Sequence, residues 1–182
     1  NAVYARKLAK STDDFLQSAL QQLAYTAQLL AEHMDDEAQL IREATRLRLQ
    51  TKSFNSVTIY NPLGTVLATS PETLQIKGKT LNSAAAKESL RTQGPVISQA
   101  YMSTAGNLIV FISQPIFSAQ GDYLGAVGGS IYLQQESMLD QLLGEHFYKD
   151  GSYLYVVDRN RRLLYHPNSQ RVGTVVEGNA LI

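Results

Sequence analysis

The chain contains no cysteine. That excludes a disulfide framework, thiol catalysis and cysteine-type zinc sites, and it is compatible with an oxidising compartment. There is no apolar run of the roughly 18 residues that a membrane-spanning helix needs, and no apolar core of a secretory leader follows Asn1-Ala2-Val3-Tyr4. The chain begins and ends abruptly, as an excised fragment would, which leaves room for a membrane anchor outside the given residues. Neither charge sign is in excess: 16 basic and 16 acidic residues give a formal net charge of zero. With no basic stripe, nucleic-acid binding has no electrostatic support.

Chemistry-bearing patterns are also missing. His33, His146 and His166 are too scattered for metal-ligand spacing. No G-x-S-x-G elbow surrounds any serine. Gly125, Gly128 and Gly129 lie within an apolar run with no GK[ST] after them, so they form no phosphate loop; close backbone packing or a bulge accounts for them better. Asp13-Asp14 and Asp35-Asp36 read as helix-start charges rather than paired acids. The expectation is therefore no catalytic residue, no metal and no cofactor. What is present is apolar material, 44% of 182 residues, enough for the core of a substantial domain.

Leu16, Leu20, Leu23, Ala27, Leu30 and Met34 recur at steps of four and three, the seam of an amphipathic helix over 1–34. Such a helix would serve as a core element, as a stalk lining a dimer partner, or as both at different heights. Asp35-Asp36-Glu37 suits the start of a second helix, whose late cluster Arg42, Arg46, Arg48 and Lys52 reads as solvated, dipole-favoured charge. Residues 54–60 alternate as a strand. Asn61-Pro62-Leu63-Gly64 is a turn, and 65–69 returns. Residues 70–78 read as loop and 80–93 as a helix stopped by Gly94-Pro95.

The most informative stretch is 96–133. VISQAYM, LIVFISQPIF and YLGAVGGSIYL are strand-like runs separated by Ser103-Thr104-Ala105-Gly106-Asn107 and Ala119-Gln120-Gly121-Asp122, the marks of an antiparallel meander. A short helix is expected over 134–143, ended by Gly144. A second hairpin, 152–158 and 162–166 around Arg159-Asn160-Arg161, repeats the plan of the first. The fold class is thus α+β, with expected divisions at 1–50 for the helical stalk, 51–144 for a first module and 145–182 for the opening strands of a second.

These features together resemble the double Cache (dCache) sensor region of bacterial transmembrane receptors. The resemblance rests on the long N-terminal helix, the hairpin 56–69, Gly94-Pro95-Val96-Ile97-Ser98 leading to Tyr101, and Ser113-Gln114-Pro115-Ile116. It continues with Gly121-Asp122-Tyr123-Leu124-Gly125, and with Gly151-Ser152-Tyr153-Leu154-Tyr155-Val156-Val157-Asp158 before Tyr165-His166-Pro167. Gly128-Gly129-Ser130-Ile131-Tyr132-Leu133 followed by Leu142-Leu143-Gly144 looks most like input regions attached to diguanylate cyclases. The resemblance implies a PAS-like antiparallel sheet flanked by helices in each module, and a periplasmic location between two membrane helices. It also implies a ligand pocket over one sheet face that signals to a cytoplasmic output, and the heptad seam adds the expectation of a homodimer through the N-terminal helix.

Two departures from the family pattern bear on the ligand. Family members that bind amino acids carry an Arg-then-aromatic motif in the helix before the meander and an Asp in its last strand. Here the helix opens Thr80-Leu81-Asn82-Ser83-Ala84-Ala85, and Ser130 stands at the Asp position. A buried ammonium needs a carboxylate to offset its desolvation, so the expected ligand is a small molecule other than an α-amino acid. The candidate contacts are Tyr101, Ser103, Ser113, Tyr123, Ser130 and Tyr132 on the meander, with Arg91 and Lys79 available to an anionic group. The competing reading is a dimerising or protein-interaction spacer with no small ligand.

Overall fold

The structure is a computed structural model and describes residues 2–137, 141–143, 153 and 155–177. Helix α1 (Ala2–Leu30) is followed by α2 (Glu37–Thr51). It ends four residues short of the seam's last member. The His33 amide donates to the Leu30 carbonyl at 2.9 Å, and Asp36 caps α2 by accepting from the Gln39 amide at 3.2 Å, so Met34 falls in the turn between the helices. The basic cluster of α2 is not merely solvated. Arg46 pairs with Glu43 at 2.8 Å and reaches Thr26 of α1, while Arg48 donates to Ser70 Oγ at 2.9 Å.

Six strands form one antiparallel sheet: β1 (Ser56–Tyr60), β2 (Val66–Ser70), β3 (Val96–Ile97), β4 (Tyr101–Met102), β5 (Leu108–Phe117) and β6 (Tyr123–Tyr132). The order is β2-β1-β6-β5-β3, with β4 also on β5. The meander is there, and its last strand closes on β1, with Ser56 opposite Ser130 and Tyr60 opposite Ala126. The expected first meander strand, 96–102, is split. Ser98 accepts the Phe111 amide on its hydroxyl at 2.8 Å, a side-chain bond where a ladder bond would run, and β4 resumes at Tyr101.

Alternation along the strands divides the sheet into two faces. Val57, Ile59, Val110, Ile112, Val127 and Ile131 are buried against α1 and α2 with Leu23, Leu30, Leu40 and Leu47. Tyr60, Ile109, Phe111 and Ala126 face the other way, toward helix α3 (Ala84–Thr92) with Leu81, Ala85 and Leu90. The glycines of β6 permit close approach. Gly125 sits beside the irregularity between Ile116 and Phe117 at φ +123°, and a Cβ there would lie 2.0 Å from the Tyr60 carbonyl oxygen. A Cβ on Gly128 would lie 2.2 Å from the Phe111 ring.

Helix α3 starts later than the sequence suggests. Thr80 bridges Thr65, Leu81 donates to the Gly64 carbonyl, and Ser83 is the cap. The expected helix over 134–143 is only partly present. Residues 134–137 are not helical, 141–143 are, and 138–140 lie outside the described residues. Residues 144–152, including His146, also lie outside them. Of the second hairpin, β7 (Val156–Val157) and β8 (Leu163–Tyr165) pair across a turn in which Asp158 Oδ1 accepts from the Asn160 and Arg162 amides. The first half of α1 faces this hairpin, with Leu8 and Leu16 opposite Val156. Among the described residues no helix is long and apolar enough to cross a membrane.

Candidate ligand-binding site

The α3 face of the sheet carries a small chamber. Its floor is built by alternation on three adjacent strands: Ser56 and Thr58 from β1, Ser130 and Tyr132 from β6, Ile109 and Phe111 from β5. One wall comes from the segment after β2, with Leu74, Ile76 and Leu81. The first turn of α3 adds Ser83 and Ala86. Tyr101 and the turn Ser103-Thr104-Ala105 complete it. About 40 Å³ is open to water centres. An outer groove of about 500 Å³ adjoins it, between the exposed side of α3 and residues 96–104. Ser83, Tyr101, Ser103 and Thr104 border both spaces, and Ser83 Oγ stands 3.4 Å from Tyr101 Oη at their boundary.

Helix α3 is fastened at two points. Ser83 Oγ accepts the Ala86 amide at 3.2 Å. Tyr60 Oη meets Ser89 Oγ at 2.9 Å in the buried layer beneath the helix. Burial pushes the Tyr60 phenol up to about 12, opposed by the hydroxyls of Ser89 and Ser113. Burial also raises the Tyr101 phenol, with the Ser83 hydroxyl pulling the other way.

Four of the sequence candidates meet in the chamber: Tyr101, Ser103, Ser130 and Tyr132. The other four lie elsewhere. Ser113 is fully buried near Tyr60, close enough to oppose the phenol's shift without completing a hydrogen bond of good geometry. Tyr123 stacks beside Phe117 at 5.7 Å, with a buried hydroxyl and a phenol raised by burial. Arg91 lies on the exposed side of α3, paired to Glu88 at 2.7 Å, and Lys79 is exposed. Sequence reasoning missed Ser56, Thr58 and Ser83. The alternation of Ser56 and Thr58 with Val57 and Ile59 marked a polar face of β1. What places that face beside Ser130 is the β1–β6 pairing, which no local signal shows.

A long helix on one face of an antiparallel sheet, and a short helix over a small chamber on the other, define a PAS-like α+β module. The chain belongs to the Cache domain family: the double-Cache model matches residues 1–181. Cache domains are extracytoplasmic, non-catalytic ligand-binding modules of membrane receptors. Among solved structures, an extracellular ligand-binding receptor from Desulfohalobium retbaense DSM5692 superposes with a TM-score of 0.79 at 16% identity, covering 93% of this chain and 31% of that one. The ligand-binding domain of the amino-acid chemoreceptor PctC of Pseudomonas aeruginosa PAO1, in complex with GABA, gives 0.69 at 21% identity over 93% and 76%. That of the Pseudomonas fluorescens chemoreceptor CtaA, in complex with L-serine, gives 0.70 at 18% over 93% and 72%. The chain thus spans about a third of the length of the first of these and about three quarters of the other two. No curated protein matches the chain.

Proposed function

We propose that this chain is the periplasmic ligand-sensing input region of a bacterial inner-membrane receptor, and that its ligand binds in the chamber over the α3 face of the sheet. The observation that carries the reading is the convergence of Tyr101, Ser130 and Tyr132 on one small chamber in a chain matched along nearly its whole length by a sensor family. Residues 51–144 form the binding module, 145–182 open a second module, and 1–50 supply the helices that carry the signal. A ligand shifts such an equilibrium only by its difference in affinity for two states. Here the states differ in how the sheet seats against α1. The signal passes through membrane helices of the parent protein to a cytoplasmic output, for which the resemblance of the last meander strand favours a diguanylate cyclase.

The receptors of similar fold were solved with GABA and L-serine. This chain has Ser130 in the chamber floor and no carboxylate among the lining residues, which supports a ligand other than an α-amino acid. Homodimerisation through α1 is supported by Tyr25 and Leu29, 59% and 37% exposed one turn apart on the helix.

The test is a thermal-shift screen of small metabolites against the wild-type chain and a Ser130→Phe variant that fills the chamber. Compounds that raise the wild-type midpoint and leave the variant's unchanged are expected. A screen in which every stabilising compound acts equally on both overturns the chamber as the site. The small free volume of the chamber favours one second reading, a ligand-free interaction spacer. An empty screen together with a partner that binds both proteins equally would establish that reading instead.

A further inference from the structure

We infer that the chamber selects an uncharged short molecule of the diol or polyol class, with an apolar segment and at least two hydroxyl or carbonyl groups. The inference rests on the chamber being the ligand site.

Eight of the fifteen lining residues carry a hydroxyl, and the other seven are apolar. None of the fifteen is charged and none bears a side-chain amide. An ammonium or carboxylate moved into such a space leaves water without gaining a counter-charge, and its binding is disfavoured. The ionised pair beside the outer groove offers no remedy. Glu88 borders the outer groove rather than the chamber and is held by Arg91 at 2.7 and 3.0 Å. The α3 terminus, which would attract an anion, already has its Ala86 amide occupied by Ser83 Oγ.

A hydroxyl both donates and accepts. The side chains of Ser56, Ser130 and Tyr132 take no hydrogen-bond partner among the described residues, and all three border the free space. They are matched by ligand hydroxyls, which donate or accept, or by ligand carbonyls, which accept. Ile109 and Phe111 give the same space an apolar side. The free volume corresponds to about three waters, which limits the molecule to a few heavy atoms while Tyr101 and Ser83 remain in contact. These conditions describe a short chain with adjacent oxygens. They exclude zwitterions, dicarboxylates and polyamines.

The experiment is an amide-resolved NMR titration of the 182-residue chain. The uncharged probes are 1,2-propanediol and glycerol. The charged probes of similar size are propionate, propylamine and L-alanine. Saturable shifts at the Ser130, Tyr132 and Thr58 amides are expected for at least one uncharged probe and for none of the charged ones. Ser130→Val is expected to weaken that binding about tenfold, the loss of one hydrogen bond. Ser130→Asp is expected to gain propylamine binding. The wild-type comparison of charged with uncharged probes stands whether or not either variant folds. Saturable binding of propionate, propylamine or L-alanine at those amides overturns the ligand class and leaves the sensing site intact. Silence from all five probes overturns the ligand class. If Tyr101→Ala, which joins chamber and groove, is equally silent, the chamber falls as the ligand site as well.

Discussion

Tyr60 ties α3 to the sheet. Its ring lies in the buried layer with Phe111, ring centres 6.5 Å apart, and its hydroxyl holds Ser89 of α3 at 2.9 Å. Tyr60→Phe leaves Ser89 buried without that partner. The expected loss is about 1–2 kcal/mol in urea unfolding. The same residue sets an alkaline limit. Its phenol ionises near 10 in the unfolded chain and at about 12 in the fold. Between these values the unfolded state releases a proton that the folded state keeps. Tyr60 therefore contributes its full share of stability below pH 10, and that share is lost as pH rises toward 12. The fall in midpoint across this window is expected to be shallower in Tyr60→Phe. Equal slopes for the two proteins would refute the assignment.

At the same scale, Gly128 keeps the chamber open. Any Cβ there meets the Phe111 ring, and that ring is part of the chamber floor. Gly128→Ala is expected to cost about 1–3 kcal/mol from overpacking. It should also displace Phe111 into the free space, which a crystal structure of the variant would show directly.

Among the elements, α3 is the one a ligand must reckon with. It is nine residues long, its first turn faces the chamber, and its cap, Ser83, touches Tyr101. Ser83→Ala removes the cap and is expected to cost about 1 kcal/mol. It also releases the contact between chamber and groove, so amide exchange over 84–88 should accelerate while β5 and β6 stay protected. Uniform exchange across the sheet and α3 would show that the helix does not move independently. Sequence reasoning did well on elements bounded by strong local chemistry. Asn61 to Gly64 and Gly121-Asp122 marked their turns, and residues 54–60 alternated as the strand that became β1. It did less well where distant groups decide. The strand over 96–102 reads as continuous, and what interrupts it is the amide of Phe111. The start of α3 was misplaced because Thr80 and Leu81 are drawn to Thr65 and Gly64 instead.

For the whole molecule, α1 joins the parts. Its second half packs Leu23, Ala27 and Leu30 into the core beneath the sheet, and its first half meets the second hairpin. The seam read from the sequence is thus largely occupied within the chain. The proposed dimer therefore needs another stripe, and Tyr25 and Leu29 are exposed one turn apart on the helix. A Tyr25→Glu/Leu29→Glu double variant is expected to shift sedimentation from dimer to monomer with little change in melting midpoint. An unchanged sedimentation profile would exclude this stripe. The chamber was legible from the sequence to the extent that its residues share the meander: Tyr101, Ser103, Ser130 and Tyr132. The contributions of Ser56 and Thr58 depend on a strand pairing between the two ends of the module.

The broken strand at the margin of the sheet has a consequence for solubility. A long regular border strand offers a row of free amides and carbonyls on which another chain can align and begin a fibre. Here the border beside β5 is two short pieces, Val96–Ile97 and Tyr101–Met102, and between them a serine hydroxyl occupies the Phe111 amide. An incoming strand would find only two residues in register before the interruption. The same local irregularity that shapes the wall of the groove thus makes this margin a poor template for aggregation.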